Sequence, residues 1–157
     1  MQTEFNSHIE ELKPKLEHLL AMSPFTPDTL PPHTLPRKGV YLLSEGDKHL
    51  YVGRSNSIKG RIGRHSRPGA THRMASFAFR LAREATGRMK ATYKKGEGSR
   101  SALMEDEKFV EAFNAAKARI RKMNLRFVEE NDPVRQALLE IYVAVVLNTP
   151  YNDFDNH

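Results

Sequence analysis

Gly39–His65, GVYLLSEGDKHLYVGRSNSIKGRIGRH, is the stretch from which the fold of this 157-residue chain is read. It opens with two short apolar runs, Gly39–Leu43 and His49–Gly53, separated by the polar, glycine-containing Ser44–Lys48. Runs rich in Val, Leu and Tyr on either side of such a break predict a β-hairpin. A symmetric hairpin centred on Gly46 sets Tyr41 directly across from Tyr51, with both phenols on one face. The polarity then reverses into Arg54, Lys59, Arg61, Arg64, His65 and Arg67, with Gly53, Gly60 and Gly63 among them. Asn56 or Ser57 supplies a cap for a short helix on which Arg61 and His65, four apart, share a face.

These residue types suit phosphate chemistry. Tyrosines offer hydroxyl donors and acceptors, arginine offers a planar fork, and histidine moves a proton near neutral pH. An ordinary hairpin followed by solvated charges would use the same residues, so the rest of the chain has to decide.

Charge points the same way. The net charge is +6 and the isoelectric point is about 9.7. Residues 54–100 hold 13 Lys or Arg against Glu84 and Glu97, while the remainder has 12 basic and 17 acidic residues. So sharp an asymmetry predicts a polyanionic partner, of which nucleic acid is the commonest. The chain contains no cysteine, which excludes disulfides, thiolate metal sites and cysteine nucleophiles. The first 30 residues carry no apolar leader, and no run approaches the length of a membrane span. A soluble, cytoplasmic protein without a membrane partner is the expectation.

Working outward, Phe5, Ile9, Leu12, Leu16, Leu19 and Leu20 recur at helical spacing over residues 4–22, with Pro14 marking either a start or a kink. Ser23–Pro36 carries five prolines and no periodicity, an extended connector. Residues 1–36 are thus expected to form an N-terminal accessory element, and residues 37–157 the main domain, with a basic helical insertion at about 66–121. Within that insertion a helix is predicted over Met74–Thr86. Its apolar face would hold Met74, Phe77, Ala78, Leu81 and Ala85, with Arg80, Arg83 and Glu84 outward and Gly87 as the stop. Arg88–Ser101 is a basic loop with Tyr93 at its middle, suited to stacking on a base beside Lys94 and Lys95. A further helix is predicted over Ala102–Ala118, capped by Ser101. Residues 124–130 alternate as a strand, giving an α+β fold: a small three-stranded antiparallel sheet flanked by helices.

The last helix begins with Asp132 as cap and Pro133 in the first turn. From Ala137 to Leu147 its only charge is Glu140. A buried carboxylate is costly unless something meets it, so a metal ion, a cleft, or a salt bridge to Arg54 or Arg61 is expected there. Asn152 follows twelve residues later in Pro150-Tyr151-Asn152, and Asn148 sits where a helix C-cap asparagine would.

Gly39-Val40-Tyr41, Tyr51-Val52-Gly53, Arg61, His65, Glu140 and Asn152, in this order and spacing, resemble the GIY-YIG nuclease superfamily. The resemblance runs from Gly39 to Asn152, and the insertion is longer and more basic than the minimal module needs. It implies a stand-alone, metal-dependent DNA endonuclease that hydrolyses phosphodiester bonds. Tyr41, Tyr51, Arg61, His65, Glu140 and Asn152 would be catalytic, and Glu140 would hold Mg²⁺ or Mn²⁺. The resemblance gives Tyr41 the role of base toward water, Arg61 the scissile phosphate, and Asn152 the bracing of the site. Arg54, Lys59, Arg64, Arg67, Lys94 and Lys95 are the expected substrate contacts. Several alternatives remain open: an RNA-directed nuclease, a catalytically silent nucleic-acid-binding module, and a homodimer that cuts both strands. So does the biological role, among restriction or defence, repair and mobile elements. A covalent tyrosyl-DNA route needs no metal and leaves Glu140 without a role.

Overall fold

The computed structural model describes residues 2–88 and 99–155. The chain forms two compact units, Met1–Arg61 with Met123–His157, and Ile62–Lys122. The first is built on a sheet and the second on helices.

In the sheet unit, α1 (Gln2–Ala21) precedes β1 (Gly39–Glu45), β2 (Lys48–Ser55) and the start of α2 (Ile58–Ser66); β3 (Asn124–Glu129) and α6 (Pro133–Leu147) complete it. The strands form one antiparallel sheet in the order β2-β1-β3, the α+β architecture expected from the sequence. β1 is central and buried along nearly its whole length, which is why its GVYLL run is almost continuously apolar. On one face Val40, Leu42, Val52 and Val128 pack with Leu12, Leu16 and Leu19 of α1 and Leu139, Val143 and Ala144 of α6. The opposite face carries Tyr41.

α1 runs unbroken through Pro14. The proline removes the bond to the carbonyl of Glu10, but Glu10 is exposed and water can take that place. Burial of Leu12, Leu16 and Leu19 holds the helix where its propensity is weakest. Phe5, Ile9 and Leu20, expected on the same apolar stripe, are 48%, 42% and 38% exposed. Gly39 leaves no room for a side chain beside β3, since a Cβ there would lie 2.0 Å from the carbonyl oxygen of Val128. The outer edge of β3 is partly covered by Phe25, whose N–H and C=O pair with those of Leu125. α6 starts as the sequence predicts, with Asp132 accepting from the Arg135 N–H and Pro133 in the first turn.

The hairpin register differs from the symmetric expectation. Tyr41 lies opposite Gly53, and Leu43 opposite Tyr51, with an irregularity between Leu43 and Ser44. Beyond it, Ser44 pairs with His49 and Glu45 with Lys48, so β2 contains one extra residue, Leu50. A bulge of this kind is not visible in a count of turn residues. Ser44 is buried here, and its hydroxyl is 2.8 Å from Nδ1 of His49.

The helical unit takes up the end of α2, then α3 (Ser76–Thr86), α4 (Arg100–Leu103) and α5 (Glu107–Arg121). α3 and α5 pack through Phe77, Phe79, Leu81, Phe109, Phe113 and Ile120, with the Phe79 and Phe109 ring centroids 5.0 Å apart. Several expectations fail here, among them Ala85, which is exposed and not on the apolar face. The helix predicted over Ala102–Ala118 is divided, because Ser99 caps α4 and Asp106 caps a separate α5; the Glu105-Asp106-Glu107 cluster marks a second start. Arg83, expected outward, is buried with its guanidinium carbon 4.9 Å from the Phe79 ring centroid, while Met74 lies before α3 and is exposed. A guanidinium can lie on an aromatic face, which a polarity pattern does not anticipate. Tyr93, Lys94 and Lys95 lie outside the described residues.

Lys117 is also buried on α5. Its ammonium lies 4.7 Å from the Phe113 ring centroid and donates to the carbonyls of Pro68 (2.7 Å) and Ala70 (2.9 Å). Arg121 donates to the carbonyl of Ser66. The loop after α2 is thus fixed by cations from α5. Lys117→Met, which keeps the apolar stem but leaves both carbonyls unmet, is expected to cost about 1–3 kcal/mol of stability in urea denaturation.

Candidate functional site

Tyr41 and Gly53 form a pair that depends on what glycine lacks. A Cβ at residue 53 would sit 2.2 Å from both Cζ and the hydroxyl oxygen of Tyr41. The phenol occupies that space and is fully buried. Tyr51, on the same face one diagonal step away, is half-buried, and the two ring centroids are 6.3 Å apart. The phenols stand together, as the sequence leads one to expect, but through a diagonal and not a direct pair.

Arg61 reaches both of them from α2. Its guanidinium donates to the Tyr41 and Tyr51 hydroxyls, which also hydrogen-bond to each other. Burial pushes the Tyr41 phenol far above the ordinary tyrosine value, Tyr51 adds to the rise, and Arg61 opposes it. Burial also raises Tyr51, again against the pull of Arg61. Burial alone would lower the Arg61 pKa, but the two phenol oxygens outweigh it, and the guanidinium stays charged.

Glu140 on α6 provides the negative charge felt by both phenols. Burial raises its carboxyl above the ordinary range, while the charge and backbone N–H of Arg54 and the charge of Arg61 hold the rise back. Nε of Arg54 lies 3.8 Å from Oε1 of Glu140, and the carboxylate side chain keeps 28% exposure. The salt bridge expected for Glu140 is therefore made by Arg54, loosely and at the surface.

A second carboxylate sharpens the comparison. Glu130 is buried, lies 3.7 Å from both Lys15 and Arg135, and accepts from the Asp132 N–H. It is tied into the fold. Glu140 meets the charge and backbone N–H of Arg54 but, unlike Glu130, keeps access to solvent through which a ligand can reach it.

Asn152 is latched to the free edge of β2. Its side chain accepts from the Val52 N–H (2.8 Å) and donates to the Val52 carbonyl (2.7 Å), while Thr149 donates to the same Oδ1 (2.7 Å). The amide thus stands in for a backbone peptide beside the strand, between Tyr51 and Gly53 in sequence. The Tyr151 N–H donates to Leu50 on the same edge. Asn148 instead adopts the left-handed conformation, with φ 53°, as the C-cap of α6.

The other candidates lie on β2, on α2 and just after α2. His65 lies on α2 four residues after Arg61, buried in the helical unit with its ring edge-on to Phe77. Lys59, Arg64 and Arg67 are exposed on or just after α2, and Arg54 is on β2. Two contributors escaped the sequence reading. Gln136, 2% exposed, accepts from Arg54 (3.4 Å) and donates to the carbonyl of Glu130 (3.1 Å), setting Arg54 beside Glu140. Its position one helical turn before Glu140 is the signal that could have found it. Thr149 is the other.

Among the described residues no group of three or more His, Asp or Glu side chains is disposed to hold a metal ion. A hard dication that keeps most of its water is nevertheless suited to one carboxylate, provided a substrate phosphate supplies further oxygens. Glu140 fits that requirement, and Arg54 and Arg61 would oppose a cation arriving without the phosphate. Among the described residues no helix is long and apolar enough to cross a membrane.

No protein-family model matches this chain, and comparisons with curated proteins and with solved structures find no match.

Gly53→Ala tests the central packing. The added methyl must displace the Tyr41 phenol from Arg61, and a loss of about 1–3 kcal/mol is expected in urea denaturation. Tyr41→Phe in the same background should restore part of that loss, because the shorter ring removes the contact with the hydroxyl. If Gly53→Ala is as stable as wild type, the close approach is wrong.

Proposed function

We propose that this chain is a metal-dependent endonuclease of the GIY-YIG type that hydrolyses DNA phosphodiester bonds. The observation that carries the reading is the single guanidinium of Arg61 shared by two phenols, with Glu140 close enough to act electrostatically on both. The basic block at residues 54–100 supports a polyanionic substrate.

The phenols act as a coupled pair, since they hydrogen-bond to each other and share Arg61. Tyr51 is the member with access to solvent and contacts the attacking water. Tyr41, buried behind it, shares the negative charge of the deprotonated pair, which takes up the proton that the water gives up. Arg61 stabilises that anion and, once a phosphate is bound, the negative charge developing on its oxygens. Asn152 keeps the β2 edge, and with it Tyr51, in place. Mg²⁺ or Mn²⁺ bound at Glu140 would stabilise the charge on the leaving oxygen.

Purified wild type is expected to cleave supercoiled or branched DNA with Mg²⁺ or Mn²⁺ and not with EDTA. Tyr41→Phe, Tyr51→Phe, Arg61→Ala and Glu140→Ala should each lower the rate about a hundredfold or more while DNA binding is largely kept. Because both phenols are raised, the base form is scarce at neutral pH and the rate should climb about tenfold per pH unit there. On the acid side the raised Glu140 carboxyl is protonated at a higher pH than an exposed glutamate, so activity falls early. Cutting that persists in Glu140→Ala or in EDTA overturns the reading; salt-sensitive binding with no cutting would make the chain a binding module.

A further inference from the structure

The helical unit contains a cavity of about 450 Å³ whose lining includes Gly63, Arg64, Arg67, Gly69, Ala70 and Met74. It lies outside the tyrosine pair and has no part in the chemistry above. Its size is within the range of small-molecule sites, about 300–1,000 Å³.

The wall of the cavity is built, not incidental. The loop after α2 is held by Lys117 through the carbonyls of Pro68 and Ala70, and by Arg121 through that of Ser66. Gly63 makes room for a guanidinium: a Cβ there would lie 2.6 Å from Nε and 2.8 Å from Cζ of Arg67, so that side chain folds back over the helix. Arg64 and Arg67 are exposed, while Gly69, Ala70 and Met74 contribute little but apolar surface.

An apolar concavity beside two guanidinium groups suits a flat ring that carries a phosphate. Guanidinium planes and a thioether both stack on aromatic rings, and the cations meet the phosphate. A phosphate alone would leave the apolar wall unused, and a neutral apolar molecule would leave the arginines unused. We propose that this cavity is a subsite for one unstacked nucleotide of the nucleic-acid substrate. It deepens the nuclease reading and rests on it for the identity of the substrate. It implies a preference for DNA with an unpaired or readily extruded nucleotide, since taking a base out of the stack costs least there.

The test uses the full chain, labelled at Ala and Met methyl groups and followed by NMR. Deoxyadenosine 5′-monophosphate should give saturable shifts at Ala70 and Met74, and inorganic phosphate or deoxyadenosine should give much smaller ones. Gly69→Leu should abolish the nucleotide shifts; an added Cβ at Gly69 meets nothing within 4 Å, so the fold accommodates it. Gly63→Ala, which displaces only the flexible end of Arg67, should weaken them. Equal shifts with phosphate and nucleotide, or shifts unaffected by both variants, overturn the proposal. If wild type cuts DNA but the nucleotide leaves Ala70 and Met74 unmoved, the subsite is wrong and the nuclease stands; binding without any cutting leaves the subsite and removes the nuclease.

Discussion

A phenol buried without exposure must have its hydroxyl met, and much of the sheet unit follows from meeting the hydroxyl of Tyr41. Leaving such a group unpaired costs about 1–3 kcal/mol. Gly53 clears the volume that the ring occupies, Tyr51 and Arg61 complete the hydrogen bonding, and α2 must begin where it does to deliver Arg61. The Ile58 N–H, at the start of α2, donates to the carbonyl of Arg37 just before β1, which ties the helix to the strand that carries Tyr41. Glu140 on α6 feels the charge of Arg61, after that of Arg54, and raises both phenols.

The two carboxylates near the ends of this network differ in burial. Glu130 is buried against Lys15 and Arg135 and accepts from a backbone N–H, although its Oε1 finds no hydrogen-bond partner among the described residues. Glu140 has an ion pair of similar length with Arg54 but remains partly exposed, with its proton affinity raised by burial. A carboxylate left in that condition gains from an incoming cation what a fully paired one would not. Removing Gln136 would loosen Arg54 without touching Glu140, so the availability of the carboxylate is set one helical turn away from it.

Much of this was legible in the residues. The hairpin, the third strand and the cap of α6 follow from local composition, because apolar runs, turn residues and Asp-Pro act at short range. The clustering of Tyr41, Tyr51, Arg61 and Glu140 was also expected, although the register was not. Local pattern cannot weigh a bulge at Leu50 against a symmetric turn, because the choice depends on Tyr41 fitting against Gly53. The helical unit was less legible for a related reason. Arg83 and Lys117 look like solvent-facing residues until aromatic rings and carbonyls are found to receive them. Long cationic side chains bury their stems and satisfy their ends, and that outcome is decided by tertiary partners.

Cations meet internal oxygen acceptors within each unit. In the sheet unit a guanidinium is shared between phenols, and on α5 an ammonium and a guanidinium fix the loop that follows α2. The remaining arginines of that segment, Arg64 and Arg67, are exposed. The described chain therefore separates its basic residues by task. Arg61, Lys117 and Arg121 are committed to internal oxygen acceptors, whereas Arg64 and Arg67 stand beside a cavity with an apolar wall. Charge alone would attract any polyanion to such a surface. Pairing that charge with a concave apolar wall adds a requirement for shape, and this is how a protein that chiefly recognises phosphate can also distinguish how a base is presented.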